Sequence, residues 1–265
     1  MLYLISTPIG NLEDVTIRAI STLKEVDLIL CEDTRRSSIL FKKYQIDTPY
    51  QSFHKFNEQK KEEYILEMLI NGKSIALVSD AGTPLINDPG LNLIKNCRKR
   101  NIKFTAIPGA CSVIDALVVS GLTAVPFQFV GFLPKKGHFL NKLLYYPGTT
   151  IAFESPNRLK STISTINELD PKREIVIARE LTKKFEEIIS GNPNEILLFL
   201  EKQKQLGEIV LLIGENENYS KNDSANEVIE TLQEYLGLSV KEAIKCAAKV
   251  LKKPKREIYK SKNIK

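Results

Sequence analysis

The chain has 265 residues and a net charge of +6, and its 43% hydrophobic and 26% charged residues are ordinary for a soluble protein of one large or two smaller domains. No apolar run approaches the roughly 20 residues that span a bilayer, and the N-terminus lacks the basic start of a signal peptide, so we expect a cytoplasmic protein with no membrane partner. Four widely spaced cysteines and two histidines argue against a disulfide framework and against a metal site.

Short apolar runs alternate with amphipathic stretches along most of the chain. The runs predict buried strands at Leu2–Ser6, Asp27–Cys31, Ser74–Ser79, Lys103–Ile107, Phe127–Leu133, Thr150–Glu154, Glu174–Ala178 and Glu208–Ile213. The stretches between them predict helices at Leu12–Val26, Glu58–Asn71, Leu91–Arg100, Ser112–Ser120, Asn157–Leu169 and Asn194–Gln203. This alternation predicts an α/β fold with parallel sheets that carry helices on both faces.

Two breaks divide this series into domains. One α/β series ends and another begins around Gly121–Pro126, and the polar stretch Gly214–Asn226 is typical of a linker. We therefore predict an N-terminal α/β domain (1–121), a second α/β domain (122–214), a linker (215–226) and a basic helical tail (227–265).

The tail differs from the rest of the chain in its charge. From Ser239 to Lys265 there are ten Lys and Arg residues and two acidic ones, whereas the rest of the chain holds 28 basic and 30 acidic residues. The helix predicted at Val240–Leu251 carries its lysines on one face, and Pro254 turns the chain into a last short helix. Such a surface binds polyanions, either nucleic acid or an acidic membrane surface. A solvated, lysine-rich helix has the same pattern, and the tail alone leaves both interpretations open.

Four loops follow predicted strands of the N-terminal domain. They are Ser6–Asn11, Glu32–Arg36, Ser79–Gly90 and Pro108–Ser112. In a parallel sheet all four lie at the carboxyl edge, where ligands bind. Three are rich in proline and glycine, which stiffen the backbone and let a ligand approach it closely. One such loop is an ordinary turn, but three in one half of the chain favour a small-molecule site, and none has the glycine pattern of a nucleotide phosphate loop.

The segment Phe53–Glu58 places a histidine and a lysine between two aromatic residues, just before a helix that Asn57 could cap. Aromatic and basic side chains together stack on and neutralise unpaired RNA. A partly buried loop histidine without a ligand explains His54 equally well.

Six motifs occur in an order that matches a known family. They are Thr7–Asn11, Glu32–Arg35, Ser79–Pro84 with its continuation to Gly90, Gly131–Pro134, Glu154–Leu159 and Ala178–Lys183. On these motifs, and over nearly its whole length, the chain resembles the bacterial ribosomal RNA small-subunit methyltransferases I of the tetrapyrrole-methylase-like superfamily. Members of that family methylate the ribose 2′-oxygen of a cytidine in the decoding region of 16S rRNA.

The resemblance implies two α/β domains with S-adenosylmethionine in the cleft between them, a homodimer, and 16S rRNA or the small ribosomal subunit as partner. The cofactor-binding residues that it implies are Pro8, Gly10, Asp80, Ala81, Gly82, Thr83, Ile86, Asp88, Pro108, Gly109, Ser112, Ala178 and Glu180. The chain departs from the family at Ala110, where proline is frequent, at Asn157, where histidine is frequent, and in a shorter Lys135–His138 stretch.

Chemistry suggests the remaining candidates. A ribose hydroxyl is a weak nucleophile that must lose its proton, which suits a nearby carboxylate. Glu32 and Asp33 are therefore candidates for the catalytic base or for positioning the hydroxyl, with a structural ion pair between Glu32 and Arg35 as the alternative. The residues predicted to contact RNA are Arg35, His54, Lys135, Lys136, Lys245, Lys249, Lys252 and Arg256.

Two other functions fit the same sequence. A methyltransferase of a small tetrapyrrole-type molecule would share the fold and the cofactor, because a fold does not fix a function, but it has no obvious need for a basic tail. The other alternative is a non-catalytic RNA-binding assembly factor that retains the cofactor pocket.

Overall fold

The fold is described from a computed structural model, over residues 1–134, 140, 143–144, 146–202, 207–215, 225–251 and 253–261. The chain divides into two compact units, Met1–Ser112 and Val113–Lys265. Each unit contains a five-stranded sheet with helices, so the predicted α/β class is confirmed. The units divide at the start of the helix Ser112–Ser120, whereas the sequence places the first domain boundary just after the end of that helix.

The first unit is a parallel sheet. Its strands are β1 (Leu2–Ile5), β2 (Leu28–Cys31), β3 (Tyr50–Ser52), β4 (Ile75–Val78) and β5 (Phe104–Ile107). They lie in the order β3-β2-β4-β1-β5, and all neighbouring pairs are parallel. The connecting helices are α1 (Ile17–Glu25), α2 (Thr34–Tyr44), α3 (Glu58–Ile70) and α4 (Leu91–Lys99).

Both faces of this sheet are covered, which explains its continuously apolar strands. In β4, Ile75 and Leu77 belong to one buried cluster, and Ala76 and Val78 belong to another. Successive side chains of a strand point to opposite faces, so the two clusters lie on the two sides of the sheet. Helices α1 and α2 contribute to the Ala76 cluster, and α3 and α4 contribute to the Ile75 cluster.

The second unit has a mixed sheet. Its strands are β6 (Phe127–Phe132), β7 (Thr149–Glu154), β8 (Ile175–Arg179), β9 (Glu187–Gly191) and β10 (Ile209–Ile213), in the order β6-β7-β10-β8-β9. The pair β6–β7 is parallel, whereas β10 is antiparallel to β7 and β8, and β8 and β9 form an antiparallel hairpin. The expectation of a parallel sheet is therefore wrong for this unit, because the hairpin strand β9 reverses the chain before β10. Its helices are α5 (Ser112–Ser120), α6 (Pro156–Leu169) and α7 (Pro193–Lys202).

Three helices follow, α8 (Ala225–Leu236), α9 (Val240–Val250) and α10 (Lys255–Ser261). Their apolar side chains form a buried cluster of their own that includes Ile229, Leu232 and Ile244. Helix α9 begins with a capping box, in which Ser239 Oγ accepts the Glu242 N–H and the Glu242 carboxylate accepts the Ser239 N–H. The tail is therefore a small helical bundle with its own core. Most of the predicted linker (215–226) lies outside the described residues.

Within the described part of the chain, no helix combines the length and the apolar character needed to cross a membrane.

Candidate functional site

The candidate site is the carboxyl edge of the first sheet. Strands β2, β4, β1 and β5 are consecutive neighbours in that sheet and run in the same direction. The four predicted loops follow these strands, so they lie side by side at one edge, which is where ligands bind in open α/β sheets.

Backbone hydrogen bonds join the loop after β1 to the loop after β4. The Thr7 N–H donates to the Gly82 carbonyl at 2.9 Å, and the Gly82 N–H donates to the Thr7 carbonyl at 3.0 Å. Ser79 Oγ also donates to the Gly82 carbonyl, at 3.0 Å. Gly82 has a φ of +81°, a conformation that glycine adopts without steric cost. The start of the Ser79–Gly90 loop is therefore held against Thr7.

Thr83 connects this pair of loops to the loop after β5. Its Oγ1 lies 3.0 Å from Ser6 Oγ and donates to the Ala110 carbonyl at 3.2 Å. Gly109 approaches Ser6 so closely that a Cβ built on the glycine would lie 2.9 Å from the Ser6 Cβ. Three strand ends are thus fixed relative to one another. Ser6 belongs to this network although the sequence did not single it out; its position directly after a strand was the available signal.

The predicted cofactor residues of these loops offer a donor and acceptor set that fits an adenosyl compound. Exposed are Gly10, Ala81, Ile86, Pro108 and Gly109; half-buried are Asp80, Thr83, Asp88 and Ser112; buried are Pro8 and Gly82. Small side chains leave backbone groups open to a ligand, and the carboxylates can accept hydrogen bonds from ribose hydroxyls or an amino group.

Asp80 links the loop after β4 to the loop after β2. Its Oδ1 accepts the Asp33 N–H at 2.8 Å, and its Oδ2 lies 3.5 Å from Arg36 Nη1. Asp80 thereby places its negative charge close to Glu32.

Glu32 and Asp88 are carboxyls with an increased affinity for protons. Burial raises the pKa of Glu32, and the negative charge of Asp80 raises it further. Burial and the charge of Glu32 raise the pKa of Asp88 to about 6. The positive charge of Lys55 opposes both pKa shifts. Carboxyls of this kind are suited to accept a proton near neutral pH.

Asp33 is a carboxylate of the opposite kind. Arg35 donates to it from Nε at 3.1 Å and from Nη2 at 2.7 Å, and the Arg35 N–H donates to its Oδ1 at 2.9 Å. The last bond makes Asp33 the N-cap of α2. The hydrogen bonds from the Arg35 side chain, and to a smaller extent the bond from the Arg35 N–H, lower the pKa of Asp33 to about 2. The ion pair expected of Arg35 is thus formed with Asp33, and Asp33 is a weak base.

The segment around His54 is a hydrogen-bonded turn. Asn57 Oδ1 accepts the His54 N–H at 2.8 Å and makes no cap bond to α3, so the predicted capping role of Asn57 is wrong. Lys61 Nζ donates to the Ser52 carbonyl at 2.6 Å. The Gly90 N–H donates to Glu58 Oε2 at 3.1 Å, which ties the end of the Ser79–Gly90 loop to the first residue of α3.

In the second unit, the predicted cofactor residues belong to the sheet and its turns. Ala178 is buried in β8 between Val210 and Ile188 of the neighbouring strands. Glu180 follows β8, and its Oε1 accepts both Lys183 Nζ and the Glu208 N–H at 2.9 Å. The carboxylate of Glu180 therefore stabilises the turn after β8.

The motif Glu154–Arg158 forms a buried network. Glu154 accepts the Ser155 N–H and Thr162 Oγ1, both at 2.7 Å. Arg158 Nη2 lies 3.4 Å from Glu154 Oε2 and donates to the Leu133 carbonyl at 2.6 Å. These contacts attach the start of α6 to the end of β6, which is a structural role.

The residues predicted to contact RNA belong to both units of the chain. Arg35 keeps an exposed guanidinium beside Asp33, and His54 is half-buried. Lys245 and Lys249 are exposed one turn apart on α9 with Lys241, and Arg256 is exposed on α10. Lys135, Lys136 and Lys252 lie outside the described residues. In the part of the chain that the structure describes, no group of three His, Cys, Asp or Glu side chains is placed to hold a metal.

Comparisons with known proteins identify relatives of this chain. The family model described as Tetrapyrrole (Corrin/Porphyrin) Methylases matches residues 1–197. The chain is 42% identical over 277 residues to Ribosomal RNA small subunit methyltransferase I of Bacillus subtilis, which covers 100% of this chain and 94% of that protein. It is 45% identical over 219 residues to the protein of the same name from Thermotoga maritima, which covers 82% of this chain and 99% of that protein.

Solved structures share the fold at low sequence identity. Uroporphyrin-III C-methyltransferase from Thermus thermophilus, complexed with S-adenosylhomocysteine, matches with a TM-score of 0.58 and 17% identity, over 81% of this chain and 97% of that one. Diphthine synthase matches with a TM-score of 0.64 and 10% identity, over 81% of this chain and 89% of that one.

Proposed function

Because the chain belongs to the tetrapyrrole (corrin/porphyrin) methylase family, we propose that it transfers a methyl group from S-adenosylmethionine to 16S ribosomal RNA. The proposed acceptor is the ribose 2′-oxygen of a cytidine in the decoding region, and the proposed location is the cytoplasm, where ribosomes are made. The observation that carries this proposal is the 42% identity to a ribosomal RNA small subunit methyltransferase over the full length of the chain. The uroporphyrin-III C-methyltransferase structure, at 17% identity, supports the fold but not the substrate.

We assign the cofactor to the loops at the carboxyl edge of the first sheet. The network of Ser6, Thr83 and Ala110 fixes the backbone there before any ligand binds, and preorganisation of this kind lowers the cost of binding. We also propose that Ala178 and Glu180 contact the cofactor. Bound S-adenosylmethionine supplies a methyl group that is already activated, so the main task of the protein is alignment of the acceptor.

Glu32 is the residue that we assign as the proton acceptor. Its raised pKa makes it a stronger base than an ordinary glutamate, and efficient general bases have pKa values near the working pH. Asp33, with a pKa of about 2, is assigned a positioning role instead. The Asp33 N–H donates a hydrogen bond to Asp80, and the Asp33 carboxylate caps α2. Both bonds fix the backbone next to Glu32.

Methyl transfer from labelled S-adenosylmethionine tests the function. The acceptors are small ribosomal subunits that lack the modification, naked 16S rRNA, and a uroporphyrinogen as the tetrapyrrole alternative. We expect label in the RNA at one ribose that then resists alkaline cleavage of the adjacent phosphodiester, and none in the tetrapyrrole. Protein that binds S-adenosylmethionine but labels neither RNA acceptor would instead support the assembly-factor alternative, and labelled tetrapyrrole would support the small-molecule enzyme.

The tail is proposed to bind RNA phosphates. The double variant Lys245→Ala/Lys249→Ala removes two exposed charges from α9. It should weaken RNA binding and reduce the slope of log affinity against log salt by roughly 0.7–0.9 for each lost contact. Filter binding across a salt series measures both quantities. Lys24→Ala is the matched control, because Lys24 is exposed in the last turn of α1, at the opposite edge of the first sheet from the site. Equal slopes for the double variant and the wild type would contradict this role.

We also propose a homodimer. Ile114 and Val118, one turn apart on α5, are 44% and 76% exposed, and Val119 beside them is 47% exposed. Apolar side chains grouped on one helix favour burial against another protein surface. Sedimentation velocity of the full chain measures the state, and a monomer at micromolar concentration would exclude a stable dimer.

A further inference from the structure

Phe56 is the most exposed large apolar side chain among the described residues, at 93%. It lies in the turn between β3 and α3, three residues after Phe53, which is completely buried. The two rings therefore have opposite environments: Phe53 anchors the turn in the core, and Phe56 is presented to solvent. The apolar area of an exposed aromatic ring is available for burial against a binding partner.

The turn that carries Phe56 is fixed by side-chain hydrogen bonds. Asn57 accepts the His54 N–H and donates to the Ser52 carbonyl at 3.3 Å, and Lys61 donates to the same carbonyl. The rings of His54 and Phe56 pack edge to face, with their centroids 6.0 Å apart. The backbone that presents the ring is thus ordered in advance, which reduces the entropy lost when a partner binds.

The turn also lies beside the candidate site. Glu58, two residues after Phe56, accepts the Gly90 N–H at the end of the Ser79–Gly90 loop. Lys55, the residue before Phe56, is close enough to Glu32 and Asp88 for its positive charge to oppose the rise in the pKa of both. A substrate that presents its acceptor to Glu32 passes close to this turn.

We propose that Phe56 stacks on an unpaired base of the RNA substrate while Lys55 neutralises an adjacent phosphate. This inference rests on the proposed function. Aromatic rings stack on any base because each has a π-face, and a neighbouring cation completes a nucleotide-sized site. A protein partner would require a contiguous apolar patch, whereas the nearest chain neighbours of Phe56 are the polar residues Lys55 and Asn57.

Phe56→Ala in the full-length protein tests the stacking. The dissociation constant for a fragment of naked 16S rRNA should rise by about 5- to 150-fold, with the affinity for S-adenosylmethionine unchanged in calorimetry. Phe56→Tyr should restore RNA affinity. The salt slope should stay at the wild-type value in Phe56→Ala and fall in Lys55→Ala, because stacking releases no counterions and a phosphate contact does. A purely structural role of the ring would not separate the two variants in this way.

Tyr64→Ala is the matched control, since Tyr64 is an exposed aromatic residue further along α3. It should bind RNA like the wild type. If Phe56→Ala also binds RNA like the wild type, or if it changes the sedimentation of the protein, the ring does not stack on RNA and the inference is overturned. If the wild type itself transfers no methyl group to RNA, the proposed function fails. The failure of the stacking is seen in RNA binding by Phe56→Ala and the failure of the function in methyl transfer by the wild type, so the two can be told apart.

Discussion

Glu32→Gln should lower kcat for methyl transfer to RNA by about 10²- to 10⁴-fold, the usual contribution of a general base. The amide has the size of the carboxylate and retains one acceptor oxygen, but it cannot take up the hydroxyl proton. S-adenosylmethionine should bind with unchanged affinity, because the contacts that fix the cofactor loops run through Ser6, Thr7 and Thr83. Single-turnover rates with saturating cofactor, together with calorimetry, measure the two effects.

The pH dependence gives a second measurement of the same assignment. A general base acts in its deprotonated form, so the rate of the wild type should fall as pH is lowered through the raised pKa of Glu32. Asp88, whose pKa is raised to about 6, contributes to the same acid limb because the charges of the two carboxyls act on each other. In Glu32→Gln one negative charge is lost, so the pKa of Asp88 should fall and the remaining acid limb should move to lower pH.

Asp33→Asn separates the two adjacent acids. A pKa of about 2 leaves Asp33 ionised throughout the working range, so its replacement should keep the position of the acid limb. The rate should fall only by the amount that the N-cap bond and the Arg35 contact of Asp33 contribute to positioning Glu32. An acid limb that disappears in Asp33→Asn, or a wild-type kcat in Glu32→Gln, would remove Glu32 from the role of base.

The strands of the first sheet could be predicted because burial on both faces leaves a clear pattern. β4 is apolar at every position, since its successive residues enter two different clusters. The strand β3 was missed because it has three residues, two of them polar, and pairs with β2 alone. The helix α2 was missed because its first turn, Thr34–Ser38, is polar and resembles a loop, while its buried side chains Leu40 and Phe41 come near its end.

Local hydrogen bonds decided other boundaries. The helix predicted at Leu12–Val26 begins only at Ile17, because Leu12–Asp14 forms a single 3₁₀ turn and Thr16 accepts the Ala19 N–H as the N-cap. The mixed second sheet could not be inferred from apolar runs, since β9 alternates half-buried and exposed residues and was not predicted as a strand. Without that strand, the chain between β8 and β10 has no visible reversal.

Three of the four loops of the candidate site could be located from their proline and glycine content, and the fourth, Glu32–Arg36, from its position after a predicted strand. The chemistry within the loops could not be predicted. Glu32 and Asp33 are adjacent acids that the sequence cannot rank. The structure separates them, because Arg35 binds Asp33 while burial and Asp80 act on Glu32. The hydrogen bond from the Asp33 N–H to Asp80 joins residues 47 positions apart, and such a contact depends on the order of the strands.

Gly109→Ala should weaken S-adenosylmethionine binding by at least about tenfold, equivalent to ~1.4 kcal/mol. The new Cβ would lie 2.9 Å from the Ser6 Cβ and 3.3 Å from the Ser6 carbonyl oxygen. Neither atom is the end of a flexible side chain, so the loops after β1 and β5 must move apart. That movement disturbs the contacts of Thr83 with Ser6 and Ala110. Overpacking of this kind also costs about 1–3 kcal/mol of stability, which thermal unfolding measures separately.

Gly72→Ala is the control that separates lost stability from lost affinity. Gly72 has a φ of +87° and no heavy atom within 4 Å of an added Cβ, so alanine there is strained but not crowded. We expect a loss of about 1–2 kcal/mol in the free energy of unfolding and an unchanged dissociation constant for the cofactor. The double variant Ser6→Gly/Gly109→Ala lacks the Ser6 Cβ that the new alanine Cβ would otherwise meet. If crowding is the cause, the loss of cofactor-binding free energy in the double variant should be smaller than the sum of the losses in the two single variants. Wild-type affinity in a folded Gly109→Ala protein would instead show that these loops do not hold the cofactor.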